Sequence, residues 1–428
     1  MNTRLIALLF CLLLAGPHRL WAGPAPNPVT DWATLVQSSI HNAAAPRSAG
    51  TSQVLHTMVV LAMYDAVMAI EGGFEPYGAR IQAPLGADVR AAVAAAAYLT
   101  ARARVVPSEV SALDAKFAAY MATVPDGAGK TGGIVVGEQA ATAILALRSG
   151  DGFANVVPYA CSAVPPPPGE FVPDTGCPAS PSAAQPADAK VGQIAPFSVR
   201  DISRFRVDGP EPMTSGGYVE DFEETRDYGR ADSALRTAEQ TDIAYFWSEH
   251  PYVHWNRNLV SLAINQGLSV AETARFFALV HTAASDAIIA GFAAKYHYRA
   301  WRPRTAIPLA DADGNPDTEG DPAWRPLLSV NHPEYPSGHG FWSAAVLDAV
   351  GEFFGTNKLT WTIATSKAAV PPLVQTERTY HRLNVLMREI GDARVWAGLH
   401  WRHAIRDGVR IGRRVAAHVS KRYFRPVK

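Results

Sequence analysis

Apolar residues recur every three or four positions through most of this chain, and that periodicity commits it to helices. Between residues 53 and 70 the repeat runs Val54, Met58, Leu61, Ala62 and Ala66. The same spacing predicts helices over 32–44, 91–103, 108–123 and 134–147, with Leu113, Phe117 and Tyr120 on one face of the fourth helix in the chain. These five segments suit one bundle. Helical spacing resumes over 233–247, 256–265 and 269–298; the last opens on Ser269 with Glu272 three residues on, the spacing of a capping box. It returns after Ser337, over 377–390 and over 405–423. No series of alternating segments predicts a sheet, so the expected fold class is all-α, built from helical bundles.

Between about 150 and 215 the periodicity fails. Pro165 to Pro168 form a proline run, and prolines, glycines and serines recur as far as Pro186. Such a stretch reads as a long irregular insertion. The expected organisation is a signal peptide over 1–22, a helical part over 23–149, the insertion over 150–215 and a second helical part over 216–428. The signal peptide is read from Arg4, the short apolar run from Leu5 to Leu14 and a cleavage point after Ala22. It makes the expected location periplasmic or secreted. Cys11 falls inside that run, leaving Cys161 and Cys177, which are expected to pair in an oxidising compartment. No later apolar run reaches about 18 residues without a charge, so no stable membrane span is expected. Across 428 residues the 39 basic and 39 acidic side chains cancel, and no charge excess points to nucleic acid.

The chemistry concentrates in three segments of the last third: Lys295-x6-Arg302-Pro303, Pro336-Ser337-Gly338-His339 and Arg394-x5-His400. Lys295 and Arg302, about two helical turns apart, can converge on one anion, lysine as a point charge and arginine as a planar fork. Ser337 and Gly338 stand where a helix begins, and the unpaired amides of a first turn favour an anion. Ser337 either caps that helix or donates its hydroxyl to a ligand. His339, in the same turn, suits a neutral base. Arg394 and His400 are six residues apart, so the chain must bend near Gly398 for both to face one site. Three cations, a hydroxyl, an amide and two imidazoles together fit a tetrahedral oxyanion.

These segments, in this order and spacing, resemble the signature of the vanadium-dependent haloperoxidase and type 2 phosphatidic acid phosphatase superfamily. The wider match runs over 294–407. Its Lys295-Tyr296-His297-Tyr298 and His332-Pro333-Glu334-Tyr335-Pro336 stretches resemble the bacterial haloperoxidase-like branch more than lipid phosphatases. The resemblance implies the helical fold of that superfamily. It implies that Lys295, Arg302 and Arg394 neutralise a bound vanadate or phosphate, with Ser337 and Gly338 donating to it. It implies that His339 is the acid–base and that His400 bonds the central atom. His332 occupies a position that implies a halide pocket favouring bromide or iodide. Two positions depart from the pattern: Ala393 stands where the signature has a serine, and Ala404 where many members carry an aspartate. What then orients His400 is open, with His403 and Asp407 nearby.

The function implied is an exported vanadate-dependent haloperoxidase, with hydrogen peroxide, a halide and an organic acceptor as partners. One alternative is a soluble exported acid phosphatase working through a phosphohistidine intermediate, with no cofactor. The other is a non-catalytic oxyanion-binding relative. The sequence leaves the oligomeric state and the acceptor open. The aromatic residues Phe292, Trp301, Trp342 and Trp401 lie around the same segments without an assigned role.

Overall fold

A computed structural model describes residues 27–42, 46–180, 183, 185–366 and 373–427. The proposed signal peptide and Cys11 lie outside the described residues. The chain is all-α, and one continuous apolar core runs from Val29 to Phe424. The first helices are α1 (Pro28–Ile40), α2 (Ala49–Glu71), α3 (Val89–Arg102), α4 (Pro107–Met121) and α5 (Ala128–Leu147). After the insertion come α6 (Gly216–Gly229), α7 (Ala238–Phe246), α8 (Pro251–Asn265), α9 (Val270–Tyr298) and the short α10 (Pro303–Ala306). The chain closes with α11 (Gly338–Phe354), α12 (Leu383–Trp396) and α13 (Arg402–Arg422).

Two long helices form the spine. α2 packs on α3, α5 and α9, while α9 also packs on α11 and α13. Both are long and apolar enough to cross a membrane, yet each is almost wholly covered by other helices of the fold. The spacing at Ser269 is a true capping box: its side chain accepts from the Glu272 amide, and the Glu272 carboxylate accepts from the Ser269 amide. Asp88, Ser215 and Thr237 cap their helices in the same way through side-chain oxygens.

The structure corrects the sequence reading in two places. α6 begins directly after the insertion, where no helix is expected before residue 233. Its buried Tyr218, Phe222, Thr225 and Gly229 do keep helical spacing, but acidic residues dominate the rest. The expected helix over 377–390 starts only at Leu383, because Glu377–Tyr380 is a strand (β2). It pairs antiparallel with Trp361–Ala364 (β1), Trp361 opposite Tyr380 and Thr362 opposite Thr379. β-Branched and aromatic residues at these positions favour the pleated conformation over a helix.

The insertion is irregular but tightly bonded. Cys161 and Cys177 form a disulfide. The loop it closes grips the segment after α9: Phe171 N–H donates to the Arg299 carbonyl at 2.7 Å, Trp301 N–H to Gly169 at 2.8 Å, and Arg304 to Val172 at 2.7 Å. Glu170 and Asp174 form ion pairs with Arg299 and Arg304. Replacing both cysteines with serine is expected to lower stability by roughly 3 kcal/mol, from the loop-closure entropy returned to the unfolded chain. A shift of the denaturant midpoint checks this, and an unchanged midpoint contradicts it.

Candidate oxyanion site

The three sequence segments meet between the ends of α9, α11 and α12. Lys295 lies in the last turn of α9, which Arg299 terminates in the left-handed region (φ 52°). The chain then runs extended to Arg302 (φ −95°, ψ 158°), the conformation that Pro303 imposes on its predecessor. Ser337 caps α11, Arg394 ends α12, and His400 sits in the turn before α13. Lys295, Arg302, Ser337, Arg394 and His400 are all buried.

Carbonyl groups fix the cations. Lys295 Nζ donates to the carbonyls of Pro333 at 2.7 Å and Glu334 at 2.9 Å. Arg302 donates to the carbonyls of His332 at 2.5 Å, Leu399 at 2.8 Å and Pro333 at 3.3 Å. One arginine thereby ties the second segment to the third. Arg394 donates from Nη1 to the Trp247 carbonyl at 3.0 Å, and its buried Nε has no protein partner. Burial pushes Arg302 and Arg394 down to about 9 and pushes Lys295 well down, with Arg302 and Arg394 adding to the Lys295 shift. Ser337 Oγ accepts from the Gly340 amide at 3.4 Å. Capping uses its lone pair, so its O–H is still available as a donor, and the two roles are compatible.

His339 is held well below the ordinary range, first by burial and then by Arg394 and His254, with the Trp247 carbonyl pulling the other way. His400 is also held well below the ordinary range, by burial and then by Arg302, Lys295 and Arg394. Its Nδ1 lies 2.7 Å from Glu334 Oε1. The same oxygen accepts the Trp401 amide at 3.1 Å, which marks it as an acceptor and places the imidazole hydrogen on Nδ1. The Nε2 lone pair is then available. Glu334 is fully buried, and burial raises its carboxyl to about 7 against the opposing pull of His403, Lys295 and Arg302.

Glu334 therefore answers what orients His400, and neither of the expected neighbours does. Asp407 accepts from the Tyr335 hydroxyl at 2.6 Å, and His403 bonds Asp221 at 2.6 Å. The Ala404 carbonyl takes the Ser337 amide at 2.9 Å. Glu334 lies in the motif that carries the resemblance, but its role was hidden. A buried histidine needs an acceptor for Nδ1, and only the fold shows which carboxylate reaches it.

A cavity of about 370 Å³ opens onto the site. Gly338, His339, Arg394 and His400 line it, together with His332, whereas Lys295, Arg302 and Ser337 do not. Arg302 Nη2 lies 3.0 Å from His332 Nδ1. The same nitrogen lies 3.1 Å from the Pro333 carbonyl, so His332 Nδ1 is held between a donor and an acceptor. Burial, then Arg302 and Lys295, keep that ring neutral. Phe292, Phe341 and Trp342 add apolar wall, while Trp301 and Trp401 belong to a separate small core with Tyr218, Phe222 and Trp324. Arg47, Ser48, Asp188, Glu249 and His250 also line the cavity. No motif marks these residues in the sequence, because they reach the site only through the packing of segments distant from it in the chain.

The structure is that of the vanadium haloperoxidases. It overlays a bacterial vanadium-dependent iodoperoxidase with a TM-score of 0.75 at 20% identity, over 94% of this chain and 98% of that one. A bacterial vanadium-dependent chloroperoxidase overlays with a TM-score of 0.72 at 17% identity, over 94% and 98%. Residues 275–428 match the family model of the VCPO second helical-bundle domain. A vanadium chloroperoxidase from Curvularia inaequalis is 34% identical over 108 residues, 23% of this chain and 17% of the relative, so that match spans under a fifth of the relative's length. Together these matches support the vanadium-dependent haloperoxidase superfamily for this chain, the sequence match resting on residues 275–428.

Proposed function

We propose that this protein is an exported vanadate-dependent haloperoxidase that uses hydrogen peroxide to oxidise a halide to hypohalous acid, which halogenates an organic acceptor. The observation that carries this reading is His400. Its Nδ1 hydrogen is spent on Glu334, so Nε2 offers a lone pair beside the buried cations Lys295, Arg302 and Arg394. The residues fit vanadate. Among the described residues the only carboxylate bonded to this cluster is Glu334, and Arg394 Nε is a buried donor without a protein partner. Lys295, Arg302 and Arg394 would neutralise the oxyanion, Ser337 and Gly338 would donate to it, and His400 Nε2 would bond the metal. Bound vanadate supplies a Lewis-acid centre that activates peroxide without changing oxidation state. Preorganised charge of this kind is typically the largest catalytic contribution. His339, neutral and facing the cavity, accepts the peroxide proton.

His332 is assigned to the halide side of the cavity, favouring bromide or iodide. Replacing His332 with alanine is expected to change the ratio of bromide to chloride turnover by about tenfold, the scale of one lost polar contact in a pocket. Unchanged turnover of both halides removes the assignment. Periplasmic or secreted placement is supported by the Cys161–Cys177 disulfide, which persists in oxidising compartments.

The test is a halogenation assay on monochlorodimedone with peroxide and bromide, with and without added vanadate, beside hydrolysis of p-nitrophenyl phosphate. Vanadate-dependent halogenation is expected. Phosphate release blocked by vanadate would replace the proposal with an acid phosphatase using His400 as nucleophile, and silence in both would leave a non-catalytic oxyanion binder.

A further inference from the structure

We propose that Glu334 is a positioning residue that selects the tautomer of His400, and that through this selection it decides whether His400 bonds the central atom of the bound oxyanion. The inference rests on the functional reading above only in taking vanadate as the ligand. Glu334 is tied to the first segment by its backbone: its N–H donates to the Ala300 carbonyl at 2.9 Å, and its carbonyl accepts Lys295 Nζ at 2.9 Å. Its carboxylate reaches the third segment, where Oε1 accepts from both His400 Nδ1 and the Trp401 amide. Oε2 is buried without a protein partner, so the carboxylate has no competing bond. His400 is 2% exposed and Glu334 is 0% exposed, which leaves solvent little access to substitute for the carboxylate. Ala404, at the position where many members carry an acid, has no side chain that could do so.

A purely electrostatic role makes the opposite prediction. Glu334 is a negative group among three cations, so neutralising it would tighten any oxyanion if charge were its only contribution. Outer groups that orient metal-bound histidines typically contribute 10–100-fold in affinity. The two roles separate when the ligand is varied. Vanadate can bond an imidazole nitrogen, whereas sulfate is a tetrahedral dianion that forms no such bond.

The experiment is isothermal titration of the full-length mature protein with orthovanadate and with sulfate, for wild type, Glu334→Leu and Glu334→Gln. Long-range 1H–15N spectra of histidine-labelled protein without added oxyanion accompany it. Leucine removes the acceptor; glutamine keeps an oxygen for Nδ1–H and Trp401 N–H while removing the charge. The expected result is an Nδ1–H tautomer at His400 in wild type and Glu334→Gln. Vanadate affinity should fall 10–100-fold in Glu334→Leu, with sulfate affinity unchanged or improved and glutamine restoring most of the vanadate affinity. An Nε2–H tautomer in wild type overturns the proposal even if Glu334→Leu does not fold. Equal loss of vanadate and sulfate in Glu334→Leu, or vanadate affinity within threefold of wild type, overturns it too. A wild-type protein that binds neither oxyanion overturns the functional reading and this inference with it.

Discussion

Substituting His400 with alanine is expected to reduce halide oxidation by at least about 10³-fold, the scale seen when a residue bonding the reacting centre is removed. The imidazole presents a lone pair on Nε2 where the three cations of the cluster present hydrogens. Lys295, Arg302 and Arg394 only donate, and His339 is given the separate task of accepting the peroxide proton. His403 and His332 are both engaged elsewhere, His403 with Asp221 and His332 Nδ1 between Arg302 and the Pro333 carbonyl. The loss should lie in bonding rather than in folding. The Trp401 amide keeps its acceptor on Glu334, and the Arg302 and Lys295 bonds to backbone carbonyls do not involve the imidazole. Sulfate binding measured beside the halogenation assay should therefore survive in the variant. Retained halogenation would show that His400 is not the bonding residue.

Much of this site is legible in the sequence because each segment is local. Lys295 and Arg302 need only a helix that ends before Pro303, and Ser337, Gly338 and His339 need only a helix start. The elements that local spacing does not reveal are the ones decided by distant partners. β2 exists because Trp361–Ala364 comes to lie beside it, and α6 because its few apolar side chains meet Trp301, Trp324 and Trp401. Glu334 and the cavity residues Arg47, Asp188 and His250 belong to the same class. Their roles depend on contacts with residues up to a few hundred positions away, and no local spacing encodes such contacts.

The bend inferred between Arg394 and His400 gives the second large effect. Gly398 lies at φ +71°, and its N–H donates to the Val395 carbonyl at 2.8 Å while Leu399 N–H donates to Arg394 at 3.1 Å. This paired arrangement is a Schellman motif, with Gly398 as the left-handed residue after the helix. Leu399 then presents its carbonyl to Arg302 at 2.8 Å, and His400 follows it into the site. A β-carbon on Gly398 would lie 2.5 Å from the Gly229 carbonyl oxygen and 2.8 Å from Pro326 Cβ. Gly398→Ala thus combines the strain of a left-handed L-residue, about 1–2 kcal/mol, with a clash against a fixed backbone. A total of at least roughly 3 kcal/mol is expected. Relief of the clash must move the turn that carries Leu399 and His400, so halide oxidation should fall together with stability. Gly355, which ends α11 at φ +68°, has nothing within 4 Å of the same added carbon. Gly355→Ala therefore carries the strain without the clash, and should lower stability by only about 1–2 kcal/mol with activity intact. Thermal unfolding and halogenation of the two variants side by side decide the matter. Equal losses in both would mean that the close approach of Gly229 and Pro326 does not hold His400 in place.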